Sequence, residues 1–512
     1  MNYKKITFLN SVNILLQGME IKKYLFVIPN TAWFGKRYWH HFPYNEALLM
    51  SVLKQKGYDS DIVDLNINNF SEDEFKQKII EANPQIVGMG VMALEYRDTV
   101  HKAFEIIKSV NPDIITVVGG IYATLCPEII TKDRNIDYFI FGEGENRLPA
   151  VLKAIETGKG FEDIDGLSYR RNNGLVENPI REKNAVVIED LPLPDYSKFD
   201  MKRYTNYTQK FTQNFNFKKL PVAITMTSRG CPFRCNFCAS KEIYSQFVRS
   251  MSPERVLKEV DMLIDNYGIR EIIFVDDNLL VPKKRAIEIM DGLIERKKNG
   301  KDVIWKSNNL PIHNMDEEVL DKMKESGCYQ IIVSIESGCQ ATLDRMNKPI
   351  NLIKTEKTLE LIKTKNFDDV SSNFVIGNPG DTWEDIRESF RWVESMIDKG
   401  LLNYAVFHIA TPFPKTELYE ICKREGFLPD GFNFENFYGF GRGVITTPEF
   451  IPLELQAVRA FEWDRINFKN SEQKKIVARM HGISLEELET WRQETRRGLG
   501  LHIKSADRGN LN

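Results

Sequence analysis

Two successive series of short apolar runs, each run followed by an amphipathic stretch, constrain the fold of this chain most. The first series spans residues 23–142, with the runs "KYLFVIP", "DSDIVDL", "PQIVGMGV", "DIITVVGG" and "IDYFIFGEGE". Gly and Pro flank them and Val and Ile fill them, as in parallel strands buried on both faces. Between them, "YNEALLMSVLKQKG" and "TVHKAFEIIKSVN" carry helical spacing. The alternation predicts a doubly wound, Rossmann-like α/β domain over 23–155, where a ligand binds beyond the strand carboxyl ends. Two glycine sites stand at such ends: Gly119-Gly120, and Gly142-Glu143-Gly144-Glu145.

The second series runs over 218–420, with candidate strands "PVAITMTS", "REIIFVDD", "DVIWKSN", "YQIIVSIES", "VSSNFVIG" and "NYAVFHIA". Six strand–helix units predict a partial (β/α)6 barrel with its chemistry at the strand carboxyl ends. In "MSPERVLKEVDMLIDNYG", Ser252 reads as an N-cap, Pro253 as the first helical residue and Gly268 as the stop. Thr382 with Asp385 reads as a capping box. Residues 1–22 read as a tail whose start is Met1 or Met19. Residues 156–217, with the prolines of "EDLPLPDYSKFD", read as a linker. Residues 421–512 read as mainly helical, apart from the aromatic, glycine-rich "GFNFENFYGFGRG".

A net charge of −3 and the lack of a basic helix argue against nucleic acid as a partner. No apolar run reaches the roughly 18 residues of a membrane span. The N-terminal "FLNSVNILL" lacks the small-residue cleavage site of a signal peptide. Seven cysteines, mostly unpaired in spacing, suit a reducing compartment, so a cytoplasmic location is expected.

Three of those cysteines, Cys231, Cys235 and Cys238, fall in "TMTSRGCPFRCNFCAS" with spacing C-x3-C-x2-C, directly after a candidate strand. A cubane iron–sulfur cluster normally takes four cysteines. A run of three would leave one iron open to an external chelator. The alternative, structural zinc, wants four closed ligands, usually from C-x2-4-C pairs. No second pair is present, and His313 lies far along the chain.

The segment resembles the signature of the radical S-adenosylmethionine (SAM) superfamily, C-x3-C-x-aromatic-C, with Phe237 as the aromatic. The resemblance implies a 4Fe-4S cluster whose open iron chelates the amino and carboxylate groups of SAM. An electron from an external donor such as flavodoxin or ferredoxin then allows carbon–sulfur cleavage to a 5′-deoxyadenosyl radical, which abstracts hydrogen from substrate. By the same resemblance, Asp276, Asp277 and Asn278 in "FVDDN" are candidates to contact the SAM amino group, although the family more often has glycine-glycine-glutamate there. Ser334 and Glu336 in "VSIESG" would hold the ribose or methionyl part, and Ile376-Gly377 would pack the adenine edge. The dull readings are that Asp276 and Asp277 cap the next helix and that Glu336 is a solvated loop charge.

The first domain resembles the cobalamin-binding domain that precedes the barrel in one radical SAM branch, on "VVGGIYATLCPEI" and "DYFIFGEGE". "IATPFPKTELY" resembles a segment frequent in that branch. The alternative is a generic nucleotide fold, or a sheet that has lost its ligand. Where some cobalamin proteins carry Asp-x-His-x-x-Gly, this chain has Asn30, Ala32 and Gly35, so the imidazole that would ligate cobalt from below is absent. His40 or His41 could substitute, or simply pack. Trp33, Phe34, Tyr38 and Trp39 could wall the corrin or belong to the core. Cys126, Cys339, His408, Tyr404 and Phe407 lie near the expected pockets, and packing is the commoner fate of such residues.

The resemblance implies cobalamin-dependent methylation of an unactivated carbon, or of phosphorus, in a substrate the sequence does not identify. The alternatives are cobalamin-dependent cyclisation or rearrangement without methyl transfer, and a non-catalytic cobalamin or SAM sensor. Methylthiolation would call for a further cysteine cluster.

Overall fold

The structure is a computed structural model and describes residues 20–498, apart from 36–37, 92, 173, 182–184, 208–215, 245 and 435–442. The expected tail and its two starts therefore lie outside the described residues, as does most of "FYGFGRG". The chain divides into two compact units, the first of Met1–Phe199 with Glu242–Tyr244 and the second of the rest.

In the first unit, Tyr24–Ile28 (β1), Ser60–Asp64 (β2), Ile86–Val91 (β3), Ile115–Gly120 (β4) and Tyr138–Ile140 (β5) pair in parallel, in the order β2-β1-β3-β4-β5. That order reverses between β1 and β3, which opens a crevice at their carboxyl ends. Every residue of β1 is buried, which explains why it reads as a continuous apolar run. The helix Gly144–Thr157 packs Leu148, Val151, Leu152 and Ile155 against Tyr24, Phe26, Ile115 and Val117. The helix Glu72–Ala82 opens on a capping box of Ser71 and Glu74.

The expected linker needs correction. Leu167–Arg171 (β6) and Gly174–Glu177 (β7) extend this sheet antiparallel from β5. Phe161 stacks on Tyr138 at 5.7 Å and also packs on Tyr169, so the hairpin contributes to the core. The strands are short, and on the edge strand charged residues such as Glu177 face water, which blurred the period-2 signal.

In the second unit, Val222–Thr225 (β8) is followed by Ser228–Arg229 (β9) and Arg249–Ser250 (β10), a short antiparallel ribbon framing the cysteine loop. Glu271–Phe274 (β11), Ile304–Ser307 (β12), Cys328–Glu336 (β13), Asp369–Ile376 (β14) and Tyr404–Ile409 (β15) complete a six-stranded sheet with β8. Its strands are parallel and follow chain order, the winding of a partial barrel. The helix Pro253–Tyr267 has its N-cap at Ser252 and stops at Gly268 with φ +64°. Thr382 and Asp385 form the expected capping box.

The helix Glu417–Arg424 crosses the expected boundary at 420. Beyond it lie the helices Pro452–Asn467, Ser471–His481 and Leu485–Arg497. The first of these covers the sheet edge. Asn467 accepts from the Ala405 amide at 2.8 Å and donates to its carbonyl at 2.9 Å. Trp463 donates to the Tyr404 hydroxyl at 2.7 Å. These bonds satisfy backbone groups that an outer strand would otherwise leave open. Among the described residues, no helix is long and apolar enough to cross a membrane.

Candidate functional site

The cysteine loop leaves β8 and is clamped at both stems by carboxylates at the end of the neighbouring β11. Asp276 accepts from the Thr227 amide and hydroxyl and from the Ser228 hydroxyl. Asp277 accepts from the Gly230 amide at 3.1 Å and from the Ser240 hydroxyl at 2.8 Å, one on each side of the three cysteines. Burial pushes both carboxyls up, and these donors pull them back. Arg285 donates to the carbonyls of Met251 and Thr227 and fixes the same stem. Neither aspartate caps the helix that follows, which starts at Lys283. In this arrangement the two aspartates shape the loop.

Within the loop the Cys238 amide donates to the Cys235 carbonyl at 3.1 Å, closing a turn between the two. Asn236 staples the turn. Its amide donates to the Met346 carbonyl and its side chain to the Arg345 carbonyl, while its own carbonyl accepts from Leu418. Phe237 packs with Ala410, Leu418, Cys422 and Ile445. The loop is thus pinned to the segments that follow both β13 and β15.

All three thiols are held above the ordinary thiol value, Cys235 at about 11, first because they are buried; Asp277 adds to this at Cys231 and Cys238, and neighbouring cysteines add to it at Cys235 and Cys238. A cation is what makes three such thiolates compatible, and an iron–sulfur core supplies one. The donor set fits a cubane with one open corner. Asn278 favours the thiolate of Cys231, and its Oδ1 is buried without a partner among the described residues. An orphaned acceptor beside the cysteines fits a ligand bearing an ammonium group.

The other expected SAM contacts line up along the strand ends with partners of their own. Ser334 donates to Asn309 Oδ1 at 2.8 Å. Glu336 takes φ +74° at a register break between β13 and β14, and its carboxylate meets Lys348 at 3.1 Å. Ile376 is buried, and its carbonyl accepts from Ala410. Gly377 has φ +79°, and a Cβ there would lie 2.4 Å from Leu455, so the glycine admits the covering helix.

Cys339 is buried, with its sulfur directed at Asp385 and its thiol raised by burial, the mark of an unreactive thiol. Tyr404 and Phe407 are core residues. His408 is pushed down to about 4, first by burial and then by Arg459.

In the first unit, Gly90, Gly119 and Gly120 are neighbours at the ends of the central strands β3 and β4, with Gly90 paired to Gly119. Gly90 and Gly120 are exposed, so bare backbone floors the crevice. A Cβ on Gly120 would come within 2.7 Å of Val91. Thr124 links Gly120 to Gly142 through bonds of 2.8 Å to each. Glu143 accepts from the Val186 amide, and Glu145 is buried on the first turn of the helix that Gly144 begins. A floor without side chains fits a large flat ligand such as a corrin.

Ala32 sits before a short turn, Trp33–Gly35, whose Phe34 is left-handed and exposed. Trp33 donates to the Phe70 carbonyl, and the Trp39 backbone bonds Thr31 and Asn66. His40 meets the Tyr38 hydroxyl at 3.4 Å. His41 is buried and committed to Glu46 at 2.9 Å. Cys126 is fully buried.

Gly90, Asn236, His313 and Lys348 were not among the expected site residues. Gly90 was visible in "IVGMGV" as a glycine at a strand end. Asn236 lies inside the cysteine motif. His313, remote in sequence, packs its ring on Phe233 of the cysteine loop at 4.8 Å, a closeness only the fold creates. Nothing in the local pattern marks Lys348.

Comparison with known proteins agrees with this geometry. Residues 225–393 match the radical SAM superfamily and residues 34–152 the B12 binding domain. The chain is 31% identical over 407 residues to an uncharacterized methyltransferase of Pyrococcus horikoshii, covering 78% of this chain and 83% of that protein. It is 27% identical to the anaerobic magnesium-protoporphyrin IX monomethyl ester cyclase of Rubrivivax gelatinosus, over 76% of this chain and 67% of that one. Its fold resembles that of the cobalamin-dependent S-adenosylmethionine radical enzyme OxsB, with a TM-score of 0.68, 16% identity, and coverage of 93% of this chain and 72% of that chain. The chain belongs to the cobalamin-binding radical SAM family. It is a radical SAM enzyme, and its cofactors are a 4Fe-4S cluster, SAM and cobalamin.

Proposed function

We propose that the protein transfers a methyl group to an unactivated carbon, or to phosphorus, of its substrate. The cluster and SAM when bound supply a hydrogen-abstracting 5′-deoxyadenosyl radical, and cobalamin supplies the methyl group. Cys231, Cys235 and Cys238 hold the iron, and Asn278 offers its orphaned acceptor to the SAM ammonium. Asp276, Asp277 and Asn236 keep the loop in the shape that leaves one corner open. Ser334 and Glu336 stand at strand ends suited to the ribose or methionyl part, and the turn at Ile376-Gly377 to the adenine edge. We assign the cluster and SAM to the unit from residue 200, and cobalamin to the unit up to 199, on the floor of Gly90, Gly119 and Gly120, with Gly142 to Glu145 at its rim. A low-potential donor such as flavodoxin or ferredoxin supplies the electron. Seven cysteines, none in a disulfide among the described residues, support a reducing, cytoplasmic setting.

The observation that carries this reading is the three-thiol loop with no fourth cysteine in it and an orphaned acceptor beside it. The test is an anaerobic incubation of reconstituted protein with SAM, a strong reductant, cobalamin and candidate substrates, with iron and cobalt counted on the same sample. Methyl transfer adds one methylene equivalent to product mass and 5′-deoxyadenosine accumulates. A product without that added mass favours cyclisation or rearrangement, the activity type named for the Rubrivivax relative. Protein that carries its cofactors but never cleaves SAM contradicts catalysis.

A further inference from the structure

Lys348 places a buried positive charge against the cysteine loop. It follows the helix Gln340–Arg345, and its amide turns back to the Leu343 carbonyl at 3.0 Å. The carbonyls of Arg345 and Met346, just before it, accept from Asn236 in the middle of the cysteine loop. The segment carrying Lys348 is therefore bonded directly to the residue between Cys235 and Phe237.

The Lys348 side chain is 15% exposed, and its ammonium bonds the carboxylate of Glu336, whose side chain is 9% exposed, at 3.1 Å. Glu336 is held left-handed, at φ +74°, where the register of β13 and β14 breaks. A carboxylate residue kept in that conformation implies an aim the surrounding structure enforces. The charge of Lys348 favours the thiolate of Cys235, where only burial outweighs it, and also those of Cys231 and Cys238.

A cluster on three thiolates is anionic, and reduction adds one more negative charge. A buried cation nearby favours the reduced form, and a carboxylate beside that cation opposes it. We propose that Lys348 raises the reduction potential of the cluster held by Cys231, Cys235 and Cys238 so that a low-potential donor can reduce it, and that Glu336 limits the rise. One electron passes from the donor to the oxidised cluster, and no bond forms or breaks. The proposal rests on the assignment of a cubane to those cysteines.

The test uses full-length protein, reconstituted anaerobically, without SAM or cobalamin, with iron and sulfide counted first. The reduced cluster is followed by electron paramagnetic resonance during a mediated dithionite titration. K348M should lower the equilibrium constant for reduction about tenfold, a midpoint about 59 mV more negative for a one-electron couple. K348R should stay within about threefold of the parent, because it keeps the charge. E336Q should shift the constant upward by at least about threefold, opposite in sign to K348M. Unchanged midpoints in K348M and E336Q at full iron content overturn the proposal. If K348M does not hold iron, E336Q decides alone: an upward shift supports the proposal and no shift overturns it. A parent protein without a cubane fails at the iron count, before any titration, and removes the assignment and the proposal together.

Discussion

Cys235 carries the heaviest electrostatic load of the cysteine loop. Its thiol stands at about 11 first because it is buried; Lys348 pulls it down, and Cys238, Glu336 and Cys231 push it up. Cys235→Ala should reduce iron after anaerobic reconstitution to background, with the fold retained by circular dichroism. Full iron content in that variant would remove this residue from the ligand set. Asp276 makes a different prediction. Removing it strands the Thr227 amide and the hydroxyls of Thr227 and Ser228 in a buried site. Asp276→Ala should therefore cost about 3 kcal/mol of unfolding free energy, measured by urea denaturation of apoprotein. A stability within about 0.5 kcal/mol of the parent would mean the network is not as tight as its geometry. At this scale the grouping of the three cysteines on one loop was legible, because it lies in spacing. The work of Asp276 and Asp277 was not, since a carboxylate at a strand end does not reveal whose N–H it will meet. Lys348 and His313 were invisible for the same reason: their neighbours come from other strands.

The helix Pro253–Tyr267 buries Glu259 against the Thr225 hydroxyl of β8. Burial raises its carboxyl to about 7 from an ordinary 4.5, and the Thr225 bond and Arg255 oppose this only in part. The folded value exceeds the unfolded one, so its contribution is complete below about 4.5 and is lost as pH rises through about 7. The difference in unfolding free energy between the parent and Glu259→Gln should change by about 3 kcal/mol across that window. A difference independent of pH would show that Glu259 is solvated. The covering helix Pro452–Asn467 makes a second test, for Asn467→Ala should cost about 2 kcal/mol by freeing both backbone groups of Ala405. Helix limits were readable from caps, as at Ser252 and Thr382, because a cap is a local hydrogen bond. The hairpin of β6 and β7 was not, because its partner strand β5 is supplied by the rest of the sheet.

At the scale of the whole molecule, two sheets with different windings divide the labour. The first reverses its strand order between β1 and β3 and leaves glycine backbone at the ends of β3 and the next strand, β4. The second keeps chain order and gathers its polar groups at one set of strand ends, where the cysteine loop closes. Both windings followed from the alternation of runs along the chain, since a parallel strand needs a crossover and a buried run needs no polar period. The substrate did not follow, because specificity depends on side chains converging from separate strands and loops. The central claim is that three thiolates hold a cube with one free corner at which SAM is split by a single electron. The most direct measurement is the yield of 5′-deoxyadenosine from SAM and dithionite, with iron and zinc counted on the same oxygen-free sample. The account predicts about four irons per chain, little zinc, and 5′-deoxyadenosine that disappears in Cys235→Ala. A sample filled with zinc, or a full complement of iron that leaves SAM intact, would contradict it.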